Sequence, residues 1–244
     1  MRCTASRGLT AATILLLFVL PPRHAAAQPA LGCVRTGDTA PRTGGAARVR
    51  ASDEDIRGNP AFRCVLHRGR PPVRMVLRSD ARHNVAVDVQ LFGPGSSTRP
   101  VQVLALDDAS APPRRGHPFF VGADLNGDGW MDLKVLRMTG AKRNESADVF
   151  RYSPSGHRFV KDTVLSRIGA PAPIAGRPCV RSAWSMGGGQ DASAELCWRG
   201  GRWVWVREES AEWTRPGDPR LVRTVRELRG GRMRTVRVDT IGGA

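Results

Sequence analysis

The chain has 244 residues and carries 38 Lys and Arg against 22 Asp and Glu, a formal charge of +16. That length suits one domain or at most two small ones. The charge favours acidic partners or reflects an Arg-rich exported protein, and no DNA- or RNA-reading motif accompanies it. The first predicted element is a secretory signal. Arg2 and Arg7 precede an apolar run from Leu9 to Leu20, Pro21 and Pro22 close it, and Ala25 and Ala27 form an Ala-x-Ala site. The run is too short for an ordinary membrane span, so cleavage is expected after Ala27 and the mature chain belongs in the periplasm or outside the cell. No later segment approaches the length of a transmembrane helix, and 35 basic against 22 acidic residues remain after cleavage.

Residues 28–59 are rich in Gly, Ala, Pro, Arg and Asp with little periodicity, and read as a loosely ordered arm. Residues 60–244 read as a single β domain. Val73 to Leu77, Val85 to Leu91 and Val101 to Leu106 are short runs rich in β-branched residues. In the second of them Val85, Val87, Val89 and Leu91 alternate with Ala86, Asp88 and Gln90, which predicts one apolar face. Met131 to Met138, Ala147 to Tyr152 and Arg158 to Lys161 are further strands. Ala194 to Trp198 and Trp203 to Arg207 flank Gly200-Gly201, a two-residue turn that needs positive φ. That register sets Trp198 opposite Trp203, Leu196 opposite Trp205 and Cys197 opposite Val204, and apolar groups on both faces predict a hairpin buried on both sides, as between stacked sheets. Leu221 to Leu228 and Met233 to Val238 form a similar, more basic pair around Gly230-Gly231, expected nearer an edge. No helix of twelve residues is evident after the signal. Many short strands with Gly-rich turns predict an all-β barrel, sandwich or propeller.

Four cysteines remain after the signal: Cys33, Cys64, Cys179 and Cys197. An even number in an exported chain predicts two disulfides. Of the three pairings, Cys33 with Cys64 and Cys179 with Cys197 join neighbours in sequence. No close Cys pair of the zinc or redox kind is present.

The sharpest chemical pattern is Asp124-Leu125-Asn126-Gly127-Asp128-Gly129-Trp130-Met131-Asp132. Calcium takes six to eight hard oxygen ligands. Asp124, Asn126 and Asp128 supply side-chain oxygens at alternate positions of a tight loop. The Trp130 carbonyl can point inward, and Asp132 can close the shell. The twelfth position, where a complete EF-hand places Glu, is Val135, and the flanks read as strands. The competing reading is an Asx-rich turn capped by its own side chains.

The Asp-x-Asn-x-Asp-Gly-x-x-Asp-Leu pattern at 124–133 resembles the calcium loop of bacterial FG-GAP/VCBS-type β-propeller proteins. The order that follows is similar to a family of Gram-negative periplasmic proteins. It comprises Thr139-Gly140-Ala141, the hairpin from Val149 to Val160, the Gly187 to Gly189 run and the Trp198 to Glu208 hairpin. The resemblance spans roughly residues 118–210. It implies a degenerate β-propeller-like fold built of short antiparallel hairpins, with Ca2+ on Asp124, Asn126, Asp128, Trp130 and Asp132. Some members of that group inhibit lysozyme-like peptidoglycan hydrolases and act as immunity proteins, which makes such a hydrolase the expected partner here.

An inhibitor of that kind inserts a surface loop into a glycan cleft. Asp191, Glu195, Glu208, Glu209 and Glu212 are candidates to answer a basic cleft, and Arg151, Arg158, Arg199 and Arg202 to pair with catalytic carboxylates. A second function class is a module for cell-wall glycan or another envelope polyanion. Its aromatic platforms would come from Trp184, Trp198, Trp203, Trp205 and Trp213, although the hairpin register places several of these in the core. An enzyme is disfavoured. The four mature His residues lack metal-ligand spacing, and Ser185 lacks the preceding Gly of a nucleophile elbow. Glu208 and Glu209, as strand neighbours, point to opposite faces.

Overall fold

Alternation and β-branching translate into strands along most of the described chain. The computed structural model describes residues 31–36, 48–49, 59–80, 85–93, 98–110, 120–140, 144–169, 171–215 and 220–242. The segment 1–27 and most of the arm 28–59 lie outside these residues. Three antiparallel sheets result.

The first sheet contains β1 (Gly32–Arg35), β3 (Ala61–Val65), β4 (Val73–Asp80), β5 (Val85–Phe92) and β6 (Gln102–Ser110), in the order β1-β3-β4-β5-β6. The second has β2 (Arg48–Val49), β7 (Phe120–Ala123), β8 (Asp132–Thr139), β9 (Glu145–Ser153) and β10 (Arg158–Lys161), in the order β10-β9-β8-β7-β2. A 3-10 turn at Leu165–Arg167 leads to the third. That sheet runs β11 (Ala172–Pro173), β12 (Cys179–Gly187), β13 (Gln190–Arg199), β14 (Arg202–Trp213), β15 (Leu221–Arg229) and β16 (Arg232–Ile241) in sequence order. Within the stretch read as an arm, β1 and β2 are thus strands of the body, paired to β3 and β7.

The second sheet contributes to two cores. Leu133, Val135, Phe150 and Tyr152 pack with Phe62, Met75, Leu77 and Val89 of the first sheet. Ala123 and Val149 pack with Val180, Ala194 and Leu196 of the third. Burial on both sides explains why Ala147 to Phe150 are buried without a polar interruption other than Asp148. Both disulfides join directly opposed residues of neighbouring strands, Cys33 with Cys64 and Cys179 with Cys197, as the spacing predicted.

Two expectations need correction. In β5 the simple alternation fails: Val87 is 37% exposed, whereas Ala86 and Asp88 are buried. The ladders slip between Arg78 and Ser79 and again between Ala86 and Asp88, and such a bulge reverses the face presented by the residues beyond it. Buried Asp88 is held by Arg78, whose Nη2 lies 2.7 Å from Oδ2. The β13–β14 register is the predicted one, Trp198 to Trp203, Leu196 to Trp205 and Cys197 to Val204. Burial on both faces holds for Leu196 and Cys197 but not for β14, where Trp205 is 37% exposed. Trp205 lies opposite Leu196 and so shares its face, and packing against the second sheet therefore covers β13 there but β14 only in part.

Candidate metal centre and partner surface

The 124–132 loop turns because its own side chains cap its backbone. Gly127 N donates to Asp124 Oδ1 at 2.7 Å and Gly129 N to Asp124 Oδ2 at 2.9 Å. Asp128 N reaches Asn126 Oδ1 at 3.2 Å, and Trp130 N reaches Asp128 Oδ1 at 2.8 Å. These Asx turns curl the chain around its oxygens. Gly127 and Gly129 sit at φ 75° and 84°, where a side chain would be strained.

Asp132 closes the base of the loop. It is fully buried, its Oδ2 accepts Leu125 N at 3.0 Å, and its Oδ1 accepts Tyr152 N from β9 at 2.9 Å. Burial pushes its carboxyl up to about 8. The two backbone donors pull the other way, and the charges of Asp128 and Asp124 push it further up. A cation in the loop would offset the charges that Asp124 and Asp128 present to Asp132. Among the described residues no group of three His, Cys, Asp or Glu side chains is disposed to hold a metal alone. A calcium shell also draws on Asn oxygens and backbone carbonyls, which here would be those of Asn126 and Trp130. The donor set fits calcium on these grounds.

The loop touches all three sheets. His67 pairs with Trp130 across an isolated bridge with their rings 4.4 Å apart, and Met131 N donates to Leu66 O at 2.7 Å. The Trp130 ring stacks on Tyr152 at 4.7 Å. On the other flank a Cβ on Gly127 would stand 2.9 Å from Pro178 Cβ, immediately before Cys179.

The predicted partner residues separate by environment. Arg151 is half-buried, lies 4.2 Å over the Trp198 ring and reaches Asp162 at 3.3 Å. Glu195 is buried between Arg177 and Arg181. Glu208 pairs with Arg226, and Glu209 with Arg207 and Arg223. Arg158, Asp191, Arg199, Arg202 and Glu212 are exposed. Trp184 and Trp203 pack against the second core, while Trp205 and Trp213 are each 37% exposed.

The structure also joins charges that sequence reasoning left apart. Cross-strand register sets Arg181 opposite Glu195, Glu195 opposite Arg207, Arg207 opposite Glu227 and Glu227 opposite Arg234. This alternating row crosses five strands on the Cys197 side of the third sheet, and Arg181, Glu195 and Arg207 within it line a cavity of ≈ 530 Å³. Asp162 was also missed. It is buried, and it takes Arg151 Nε and Trp203 Nε1 on one oxygen and Val164 N and Leu165 N on the other. A lone Asp after a strand carries no sequence signal for that role.

No protein-family model matches the chain, and no curated protein does. A solved structure does: a Xanthomonas protein related to a type IV secretion system superposes with a TM-score of 0.52 at 14% identity. The match covers 78% of this chain and 98% of that one. At this identity the likeness shows a shared fold. Among the described residues no helix is long and apolar enough to cross a membrane, and the two disulfides suit an oxidising compartment.

Proposed function

We propose that the protein is an exported, calcium-stabilised binding protein that inhibits, or confers immunity to, a lysozyme-like peptidoglycan hydrolase. The observation that carries this reading is the seat of the 124–132 loop, which caps its own backbone and touches all three sheets. Asp124, Asn126, Asp128, the Trp130 carbonyl and Asp132 would hold Ca2+. The ion supplies charge compensation, and the chain's own residues do the rest. Asp132 ties the loop to β9, Trp130 ties it to His67, and Gly127 sets it on Pro178. The body is thereby stiffened for a protein interface rather than opened for chemistry.

Two further observations support the reading. Each sheet contains at least four antiparallel strands consecutive in sequence, an arrangement in keeping with degenerate propeller blades. The match to a protein related to type IV secretion is in keeping with an exported role in the cell envelope.

The test titrates the purified protein into a panel of lysozyme-type hydrolases acting on peptidoglycan, with calcium and again with chelator. Stoichiometric inhibition that weakens in chelator is expected. Binding to purified sacculi with no effect on any enzyme would instead favour a glycan or polyanion module, for which Trp205 and Trp213 are the exposed platforms. Muropeptide release by the protein alone would make it an enzyme.

A further inference from the structure

One four-residue sequence occurs twice. Arg199-Gly200-Gly201-Arg202 joins β13 to β14, and Arg229-Gly230-Gly231-Arg232 joins β15 to β16. In both, the glycines adopt the positive φ of a tight hairpin turn, 55° and 79° in the first, 58° and 76° in the second. Both turns lie at the same end of the third sheet, because their hairpins are antiparallel neighbours. Register sets Arg199 directly opposite Arg202 and Arg229 directly opposite Arg232. Like charges in that position weaken a strand pair. The glycines alone satisfy the turn, so hairpin stability does not account for the arginines. Among the described residues Arg199, Arg202 and Arg232 make no ion pair, and Arg229 reaches Glu227 at 3.1 Å.

The first tip is the more prominent. Pairing of Arg207 with Glu227 leaves the second tip about three residues short of the first, roughly 10 Å along the strands. The first is also held rigidly. Cys197 is bonded to Cys179, the rings of Trp198 and Trp203 meet edge-on at 5.2 Å, Arg151 lies over Trp198, and Asp162 takes the Trp203 indole. The result is a stiff, cationic tip propped by two half-buried tryptophans. Arg and Trp are the residues that most often dominate protein interfaces, and a tip ordered in advance loses little freedom on binding.

Resting on the inhibitor reading above, we propose that the 199–202 tip is the element that enters the acidic cleft of the hydrolase. There Arg199 and Arg202 take the carboxylates that flank the scissile glycosidic bond. Guanidinium and carboxylate match in a two-bond fork, and glycosidases of this kind carry two such carboxylates across the cleft. The 229–232 tip, set back by roughly 10 Å, meets the rim.

The test takes a hydrolase that the wild-type protein inhibits, together with the form of that enzyme whose catalytic Glu is changed to Gln. Arg199→Ala/Arg202→Ala should bind the active enzyme at least ~30-fold more weakly, and Arg229→Ala/Arg232→Ala should weaken it less. Arg63→Ala/Arg68→Ala removes the same charge from exposed sites on and beside the first sheet, and should leave affinity unchanged. The Tm of the 199/202 variant should hold or rise, since a like-charge pair is lost, whereas arginines serving the fold would lower it. Wild-type affinity in the 199/202 variant would overturn the tip assignment and leave the inhibitor reading standing. Weakening by that variant with undiminished wild-type binding to the Gln enzyme would place the tip away from the catalytic acids and overturn it as well. Inhibition of no enzyme in the panel by wild type would remove the inhibitor reading, and this proposal with it.

Discussion

The indole N–H of Trp203 on β14 donates to Asp162 Oδ2 at 2.7 Å, joining the third sheet to the end of the second. The same oxygen takes Arg151 Nε at 3.3 Å, while Oδ1 accepts Val164 N and Leu165 N at 3.1 and 3.0 Å. One buried carboxylate thus caps the 3-10 turn and fixes the tryptophan beneath the β13–β14 tip. Asp162→Ala leaves Arg151 and the indole without this acceptor. Removing one partner of a buried charged pair costs about 3–5 kcal/mol, read as a lower midpoint in urea. A loss below about 1 kcal/mol would be that of a surface pair and would show that the sheets dock without this link.

Asp132→Asn tests the base of the candidate calcium loop. The carboxylate accepts from both Leu125 N and Tyr152 N. An amide has only one acceptor oxygen, so its NH2 would face a buried donor. The expected cost is about 1–3 kcal/mol, with weaker calcium binding by titration calorimetry. Wild-type stability in this variant would mean that the two backbone donors find other partners.

The same residue gives a pH dependence in chelator. Burial pushes the Asp132 carboxyl up to about 8 in the folded state, against 3.8 for the exposed group. Between those values the folded state holds a proton that the unfolded state has released. The contribution of Asp132 is therefore fully present below about pH 4 and is lost as pH rises to about 8. Calcium favours the ionised carboxylate and should flatten that slope. Calcium at 100 times its Kd adds about 2.7 kcal/mol of stability. Thermal melts across this pH range, with calcium and with chelator, read both effects; identical curves in the two buffers would argue against a metal seat at 124–132.

Cys179 and Cys197 close a separation of 18 residues at the root of the tip. Replacing both with Ser should cost roughly 3 kcal/mol, and the same for Cys33 with Cys64, separated by 31, somewhat more. If the tip acts in binding, the first replacement also weakens inhibition under conditions where the protein remains folded, and the second does not. Equal losses of inhibition would uncouple the tip from its disulfide.

Gly127→Ala introduces a Cβ 2.9 Å from Pro178 Cβ at a φ of 75°. Gly129 has the same kind of backbone but open space around it. Ala at 129 should therefore cost about 1 kcal/mol from backbone alone, and Ala at 127 distinctly more. Equal costs in denaturant titrations would mean that Pro178 yields freely.

Local chemistry determined much of this protein from sequence alone. Alternating β-branched runs made strands, and paired glycines made the turns at 200–201 and 230–231. A strand ladder built outward from a two-residue turn fixes its own partners, which is why Trp198 meets Trp203 as expected. Asp124, Asn126 and Asp128 were legible as a loop because their oxygens alternate within five residues and cap the backbone beside them. Tertiary structure alone decided the rest. The bulge after Ala86 turned Asp88 inward and Val87 outward, and nothing in a period-2 pattern marks where a ladder slips. Asp132 became a buried clamp because Tyr152, twenty residues on in the sequence, presents its N–H. Asp162 met Trp203 across forty-one. The row from Arg181 to Arg234 alternates only once five strands lie in register. Long-range pairing and the stacking of sheets on both sides of β7–β10 set these meetings, because burial and charge depend on what packs opposite a residue rather than on its neighbours in the chain.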